Sequence, residues 1–197
     1  MSVGVLLIDN FDSFTYNLQH LVLLEGVACS VWRNNDARLL GDLSDFSAIV
    51  LSPGPGIPAQ SGYLMEVISR WHIKIPMLGI CLGHQALGTF FGAKLVPAPR
   101  PMHGMISQIR ICANESAIPW MGLGGATVEV MRYHSWVLAD LPDVLNPSAY
   151  SVEDQCLMAM RHRILPLYGV QFHPESVIGI DVRHLIASFV HQTTVFL

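Results

Sequence analysis

Three short apolar runs, each halting at a polar or glycine-rich turn, constrain the fold of this chain more than any other feature. "VGVLLI" (Val3 to Ile8) ends in Asp9-Asn10, "SAIVLS" (Ser47 to Ser52) ends in Pro53-Gly54, and Met77 to Ile80 ends in Cys81. Short continuous apolar runs of this kind are the mark of strands buried on both faces. Helical spacing fills the gaps. Phe14, Leu18, Leu21 and Val22 recur at helix period behind a candidate N-cap at Asp12 or Ser13, with Gly26 as the expected stop. A β-type run from Ala28 to Trp32, a short helix from Asp36, a helix near Ser61 to Trp71 and another from about Gly83 to Phe90 complete the first half. This βαβα order predicts an α/β fold, a largely parallel central sheet with helices on both faces.

Beyond Ala93 the pattern changes. "AKLVPA", "ISQIRI" and "TVEVM" are strand-like but joined by Pro and Gly turns rather than helices, so the sheet is expected to gain antiparallel members. "CLMAMR" and "LYGVQF" read as further strands, and a last helix is expected near Asp181 to His191. No repeat, linker or low-complexity stretch interrupts the sequence, which predicts one domain over residues 1–197.

Composition narrows the partners. Hydrophobic residues make up 51% and charged residues 13%, against about 25% charged in an average soluble domain, so surface is reserved for a large core or an interface. A net charge of -4 without a basic run argues against nucleic acid. No apolar stretch approaches the roughly 20 residues that span a bilayer, and the start lacks a basic leader and a cleavage site, so no membrane contact and a cytoplasmic location are expected. Cys29, Cys81, Cys112 and Cys156 are far apart with no CxxC pair, which suits reduced thiols better than disulfides or zinc.

The chemistry is expected beyond the carboxyl ends of the strands, where ligands bind in open α/β sheets. "GICLG" (Gly79 to Gly83) resembles the nucleophile elbow G-x-S-x-G with Cys81 in place of serine, set between a strand and a helix. The glycines remove side chains that would collide in so tight a turn, and the N-terminus of the following helix favours negative charge on sulfur. A thiol nucleophile needs a base and the base an orienting group. In "VQFHPES", His173 and Glu175 are two apart at an expected strand end, so both point to one face. A metal site is the rival reading of that pair, but no HExxH or comparable ligand set accompanies it, and no metal is expected. "SPGPGIP" formally fits a dinucleotide loop, yet Pro55 and Pro58 remove N–H groups that a pyrophosphate needs. It reads either as a proline-stiffened turn or as a rigid loop offering the Gly56 N–H, paired with that of Leu82 in an oxyanion hole.

Six segments, "LIDNFDSFTYNL", "LSPGPGIP", "GICLGHQALGTFFG", "MHG", "RYHSW" and "GVQFHPES", together resemble the class I glutamine amidotransferases, in particular the subunits that serve anthranilate and para-aminobenzoate synthesis. The resemblance covers almost the whole chain and implies a flavodoxin-like three-layer sandwich with a mostly parallel, mixed sheet. It also implies a triad of Cys81 as nucleophile, His173 as general base and acid, and Glu175 as the group orienting His173. L-Glutamine would lie against Gly54, Pro55 and Gly56, with Gln85, Ser135 and Trp136 at its amino acid end. Ammonia would pass to a chorismate-using synthase subunit that brings its own magnesium, no cofactor being implied in this chain. "MHG" and the "DNFDSF" loop are candidates for the surface meeting that partner; otherwise they are ordinary loops. Three features depart from the family pattern: Met105 follows "MHG" where a basic residue is common, Trp136 stands where Leu is frequent, and "VIGIDVRHL" replaces the usual approach to the last helix. Two other classes remain open, a silent regulatory partner on the same fold and a different cysteine hydrolase such as a γ-glutamyl hydrolase.

Overall fold

The computed structural model describes residues 4–113, 125–176 and 184–194. The elements run β1 (Val5–Asp9), α1 (Thr15–Leu24), β2 (Cys29–Arg33), β3 (Ala48–Leu51), α2 (Leu64–Trp71), β4 (Met77–Ile80), α3 (Leu82–Phe90), β5 (Lys94–Ile111), β6 (Thr127–Ala139), β7 (Leu145–Ser151), β8 (Leu157–His162), β9 (Leu167–Val170) and α4 (His184–Thr194). The strands form one sheet in the order β2-β1-β3-β4-β9-β8-β7-β5-β6. Pairings from β2 through β9 are parallel, and those from β9 through β6 are antiparallel. The sheet is mixed, as the change of pattern beyond Ala93 requires.

Alternation along the buried strands divides the core into two layers. Val5 and Leu7 of β1 face Leu18 and Val22 of α1 and Ile186 and Phe189 of α4. Leu6 and Ile8 face the other way, toward Val67 and Ile68 of α2 and Leu82 and Leu87 of α3. Each such side chain taken fully out of water contributes about 1.5–3 kcal/mol, which is why both faces of the parallel half are covered by helices.

Two local expectations are revised, one strand was not expected, and one helix start lies outside the described residues. First, α1 begins at Thr15 behind an N-cap at Phe14, and Asp12 contributes instead by accepting the Phe14 N–H at 2.7 Å. Second, "AKLVPA" and "ISQIRI" are parts of one strand, β5, which pairs with β6 across register shifts between Pro97 and Met102 and between His103 and Met105. The prolines are tolerated because β7 pairs only with residues 109–111 of β5, so the other edge of the proline-rich part carries no ladder. Third, β7 was hidden by Pro147, which sits at a register shift against β8 where no N–H is demanded. Fourth, the described part of the last helix starts at His184; Asp181 and the rest of segment 177–183 lie outside the described residues. None of the described helices is long and apolar enough to cross a membrane.

Candidate active site

β1, β3, β4 and β9 are neighbours, so residues 9–10, 52–54, 81 and 171–175 emerge at one edge of the sheet. Cys81 is the corner between β4 and α3, with φ +50° and ψ −100°. A residue other than glycine holds such a conformation only where its surroundings enforce it, as in a nucleophile elbow. The flanking glycines are what the corner needs. A Cβ on Gly79 would lie 2.4 Å from the Gly83 carbonyl, and one on Gly83 would lie 2.3 Å from the Leu51 carbonyl oxygen. α3 starts at Leu82, one residue earlier than expected, so the Leu82 N–H is the first of the helix and has no acceptor within it. The Cys81 side chain is buried; its Sγ accepts the Gln171 Nε2–H at 3.5 Å and lies 3.9 Å from the Tyr133 carbonyl. None of the four cysteines is in a disulfide. Burial pushes Cys29 up to about 12, and burial with the nearby Asp154 pushes Cys156 up to about 11, so those thiols stay protonated and inert.

His173 and Glu175 meet, but not by strand alternation. β9 ends at Val170, and a turn carries the pair onward, pinned to β6 by the His173 N–H donating to the Met131 carbonyl at 3.0 Å. The turn brings His173 Nδ1 within 2.6 Å of Glu175 Oε1, both side chains being buried. Burial alone would push His173 down, yet the neighbouring Cys81 and the Glu175 carboxylate outweigh it and raise the imidazole to about 10. His173 Nε2 forms no hydrogen bond among the described residues. Tyr133 and Phe14 pack their rings edgewise on the imidazole, with centroids 5.1 and 6.5 Å away.

Beside the thiol opens a cleft of about 220 Å³. Gly54, Pro55, Gly56, Gln85, Ser135 and Trp136, all six expected at the substrate, line it together with Cys81, while His103, Tyr133 and His134 complete its far wall. Gly56 sits at φ +79°, and the loop is braced from below by a polar network of Asn10, Ser52 and Asn34, whose roles the sequence did not indicate. Asn10 donates its backbone N–H to Ser52 Oγ at 2.9 Å and its Nδ2–H to the Ser52 carbonyl at 2.8 Å, and Asn34 Nδ2 donates to Asn10 Oδ1 at 3.0 Å. "MHG" is a bulge of β5, with Gly104 at φ +66°. The departing Met105 accepts from Arg100 through sulfur at 3.8 Å, and Trp136 contributes its carbonyl, which accepts from Gln85 Nε2 and His134 Nδ1, each at 3.0 Å.

Arg132 and His134 were also missed, although both lie in "RYHSW", where polar side chains alternate on a strand. Arg132 is fully buried and pairs with Asp154 at 2.8 Å. Burial would raise that carboxyl, but the Arg132 guanidinium and further hydrogen bonds hold it down at about 2. Burial, then the charge of Arg132, lowers His134 to about 4, so its imidazole is neutral. A roomier cavity of about 410 Å³ beside Arg110, Cys112 and Tyr150 lacks a comparable pairing of thiol, imidazole and carboxylate among its lining residues.

Fold and site together define an α/β protein with a cysteine at a nucleophile elbow and a buried His-Glu pair beside it. The same fold is seen in a glutamine amidotransferase from Methylobacillus flagellatus, with a TM-score of 0.76 at 20% identity over 89% of this chain and 72% of that one. The model of the family "Glutamine amidotransferase class-I" matches residues 6–193, and the chain belongs to that family. Among its relatives, anthranilate synthase component 2 of Thermus thermophilus is 41% identical over 95% of this chain and 92% of its own length. Aminodeoxychorismate synthase component 2 of Serratia marcescens is 43% identical over 95% and 100%. The aminodeoxychorismate synthase of Streptomyces pristinaespiralis is 45% identical, and there the chain spans 95% of itself but 26% of the relative, about a quarter of its length.

Proposed function

We propose that the chain hydrolyses L-glutamine through Cys81, His173 and Glu175 and delivers ammonia to a separate chorismate-using synthase subunit, making anthranilate for tryptophan synthesis. The observation that carries this reading is the Cys81 corner in the wall of a cleft formed with Gly54 to Gly56, Gln85 and Trp136, with the buried His173–Glu175 pair packed against Tyr133 of the same cleft. Gln85 spends both hydrogens of Nε2, on the Trp136 and Gln171 oxygens, which leaves Oε1 as an acceptor for the ammonium of an amino acid.

Charge and geometry suggest the sequence of steps. The Cys81 thiolate attacks the side-chain amide carbon, and the oxyanion is held by the Gly56 and Leu82 N–H groups. The His173 imidazolium then gives its proton to the departing nitrogen, releasing ammonia and leaving a γ-glutamyl thioester. Water, deprotonated by His173, attacks the thioester; glutamate leaves and the thiolate returns. Glu175 holds the imidazole by Nδ1 throughout and favours its charged form. The magnesium of the overall reaction belongs, in this reading, to the synthase subunit, and the complex works in the cytoplasm.

A second reading keeps the chemistry and changes the product to aminodeoxychorismate. It is favoured by relatives of that kind at 43% and 45% identity beside 41% for an anthranilate relative. The test is glutamate release by the purified chain, alone and with each synthase subunit plus chorismate, reading the aromatic product. Cys81→Ser should abolish glutamine-dependent product and leave ammonium-driven product intact. Loss of both would show that Cys81 mainly maintains the fold, and absence of glutamate with every partner would refute the reading.

A further inference from the structure

The hydrogen bonds behind the cleft have a direction that can be read from one end. Arg132 can only donate, and its Nε–H reaches His134 Nε2 at 3.0 Å, so that nitrogen is the acceptor and His134 carries its proton on Nδ1. Nδ1–H therefore donates to the Trp136 carbonyl. A carbonyl can only accept, so the second group on it, Gln85, must present Nε2. The other hydrogen of that amide points at Gln171, at 3.1 Å, and meets Oε1. With its oxygen engaged, Gln171 turns Nε2–H toward the Cys81 sulfur, 3.5 Å away. The far end is fixed as well, because Arg132 is held by Asp154 at 2.8 Å and by Ser151 Oγ at 3.2 Å. Gln171, His134 and Arg132 are all buried, so the amides cannot exchange these partners for water.

We propose that Gln171 is a positioning residue for the nucleophile: it holds the Cys81 sulfur by an N–H whose direction is dictated by the Trp136 carbonyl through Gln85, and so couples Gln85 at the amino acid end of the cleft to the reacting atom. An N–H aimed at sulfur is worth more to a thiolate than to a thiol, because hydrogen bonds to charged acceptors are roughly twice as strong. His173 is the titratable group beside the same sulfur, and Gln171 supplies a neutral donor from the protein interior. The coupling to Gln85 rests on the amidotransferase reading. The hold on the sulfur does not.

The experiment is alkylation of Cys81 by iodoacetamide without glutamine, followed on the Cys81 peptide by mass spectrometry across pH, for the wild type, Gln171→Glu and Gln171→Met. Glu keeps the shape and the oxygen that accepts from Gln85 but puts a carboxylate where the donor was; Met keeps the volume and removes both partners. The expected result is alkylation slowed about tenfold or more in both variants at neutral pH, as the loss of one charge-assisted hydrogen bond requires. The rate-against-pH curve moves to higher pH, further for Glu than for Met, with thermal unfolding showing a folded protein. Should one variant fail to fold, the other carries the test. Alkylation within twofold of wild type with an unmoved pH curve in a folded variant overturns the proposal. Glutamate release, measured in parallel on the wild type, separates the two claims: its absence would refute the amidotransferase reading while the alkylation result still decides the role of Gln171.

Discussion

Lowering the pH from 7 to 4.5 should destabilise this protein steeply, because two imidazoles are locked inside it without charge. His84, one turn into α3, is fully buried, and burial holds it down at about 3. Neither of its ring nitrogens completes a hydrogen bond among the described residues, although the Gly169 peptide lies beside Nδ1 and partly offsets the burial. His134 is held at about 4 by burial and by Arg132. Both folded values lie below the ordinary 6.5, so below pH 6.5 the unfolded chain takes up protons that the folded one refuses. Stability is then full above pH 6.5 and lost as pH falls toward the folded values. Each site contributes a slope of about 1.4 kcal/mol per pH unit, and from pH 7 to 4.5 the pair removes about 5 kcal/mol. That is comparable to the whole stability of a small domain, about 5–15 kcal/mol. His173, raised rather than lowered, is charged in both states below pH 6.5 and adds no slope there. Asp154, held at about 2, loses its contribution only below this window, and Asp12, raised by burial, opposes the trend weakly near its bottom. Urea unfolding at half-unit steps of pH measures the slope, and His84→Met should roughly halve it. A free energy flat to within about 1 kcal/mol over the range would refute the reasoning.

Two further outcomes follow from the site. Gly83→Ala drives a Cβ to 2.3 Å from a backbone oxygen of β3, and backbone cannot swing aside as a side chain can; a loss of about 1–3 kcal/mol in urea unfolding is expected, and an unchanged midpoint would contradict the close packing of the corner. Glu175→Gln should lower kcat/KM for glutamine by up to about 10⁴, the loss seen when the orienting carboxylate of a triad becomes an amide. It should also flatten stability on the alkaline side. The raised His173 stabilises the fold fully below pH 6.5 and loses that contribution as pH climbs through about 10. Equal alkaline slopes in both proteins would show that Glu175 does not sustain the imidazolium.

What could be read from the sequence was whatever neighbouring residues determine. β1, β3 and β4 are apolar runs, and the corner at Cys81 announces itself because only glycine fits at 79 and 83. His173 and Glu175 were legible as a pair, but the reason given for their meeting, strand alternation, was not the one that operates, since the contact is made by a turn beyond β9. What periodicity and spacing leave hidden is long-range, and Gln85 and Trp136 came together only through the family resemblance. Gln171 and Cys81 are 90 residues apart, and Gln85 and Trp136 are 51 apart. No local periodicity encodes such contacts; they depend on sheet register, which pairing across the whole fold decides. β7 was hidden for a related reason, because Pro147 signals a break unless the chain happens to bulge there. The bracing of the glycine-rich loop by Asn10 and Asn34 is long-range in the same way, joining residues 24 and 42 positions apart.

The proline- and glycine-rich stretch that read as a series of turns has a larger role than linking strands. β6 lies five places beyond β4 in the sheet, yet its Tyr133 carbonyl approaches the Cys81 sulfur, its Trp136 carbonyl binds Gln85, and its Met131 carbonyl holds the His173 N–H. A flat sheet would leave these groups several strand spacings of about 4.8 Å apart. The β5–β6 ribbon must therefore curve back over the carboxyl edge of the parallel half, and β5 carries the means to do so in its two register shifts, one across Pro99 and Pro101 and one at Gly104. The ribbon thereby becomes the far wall of the cleft. Cys81, at the end of a strand near the middle of the sheet, thus faces a wall built by the sheet's last strand, and the buried hydrogen bonds that run from Trp136 through Gln85 and Gln171 to the sulfur join the two.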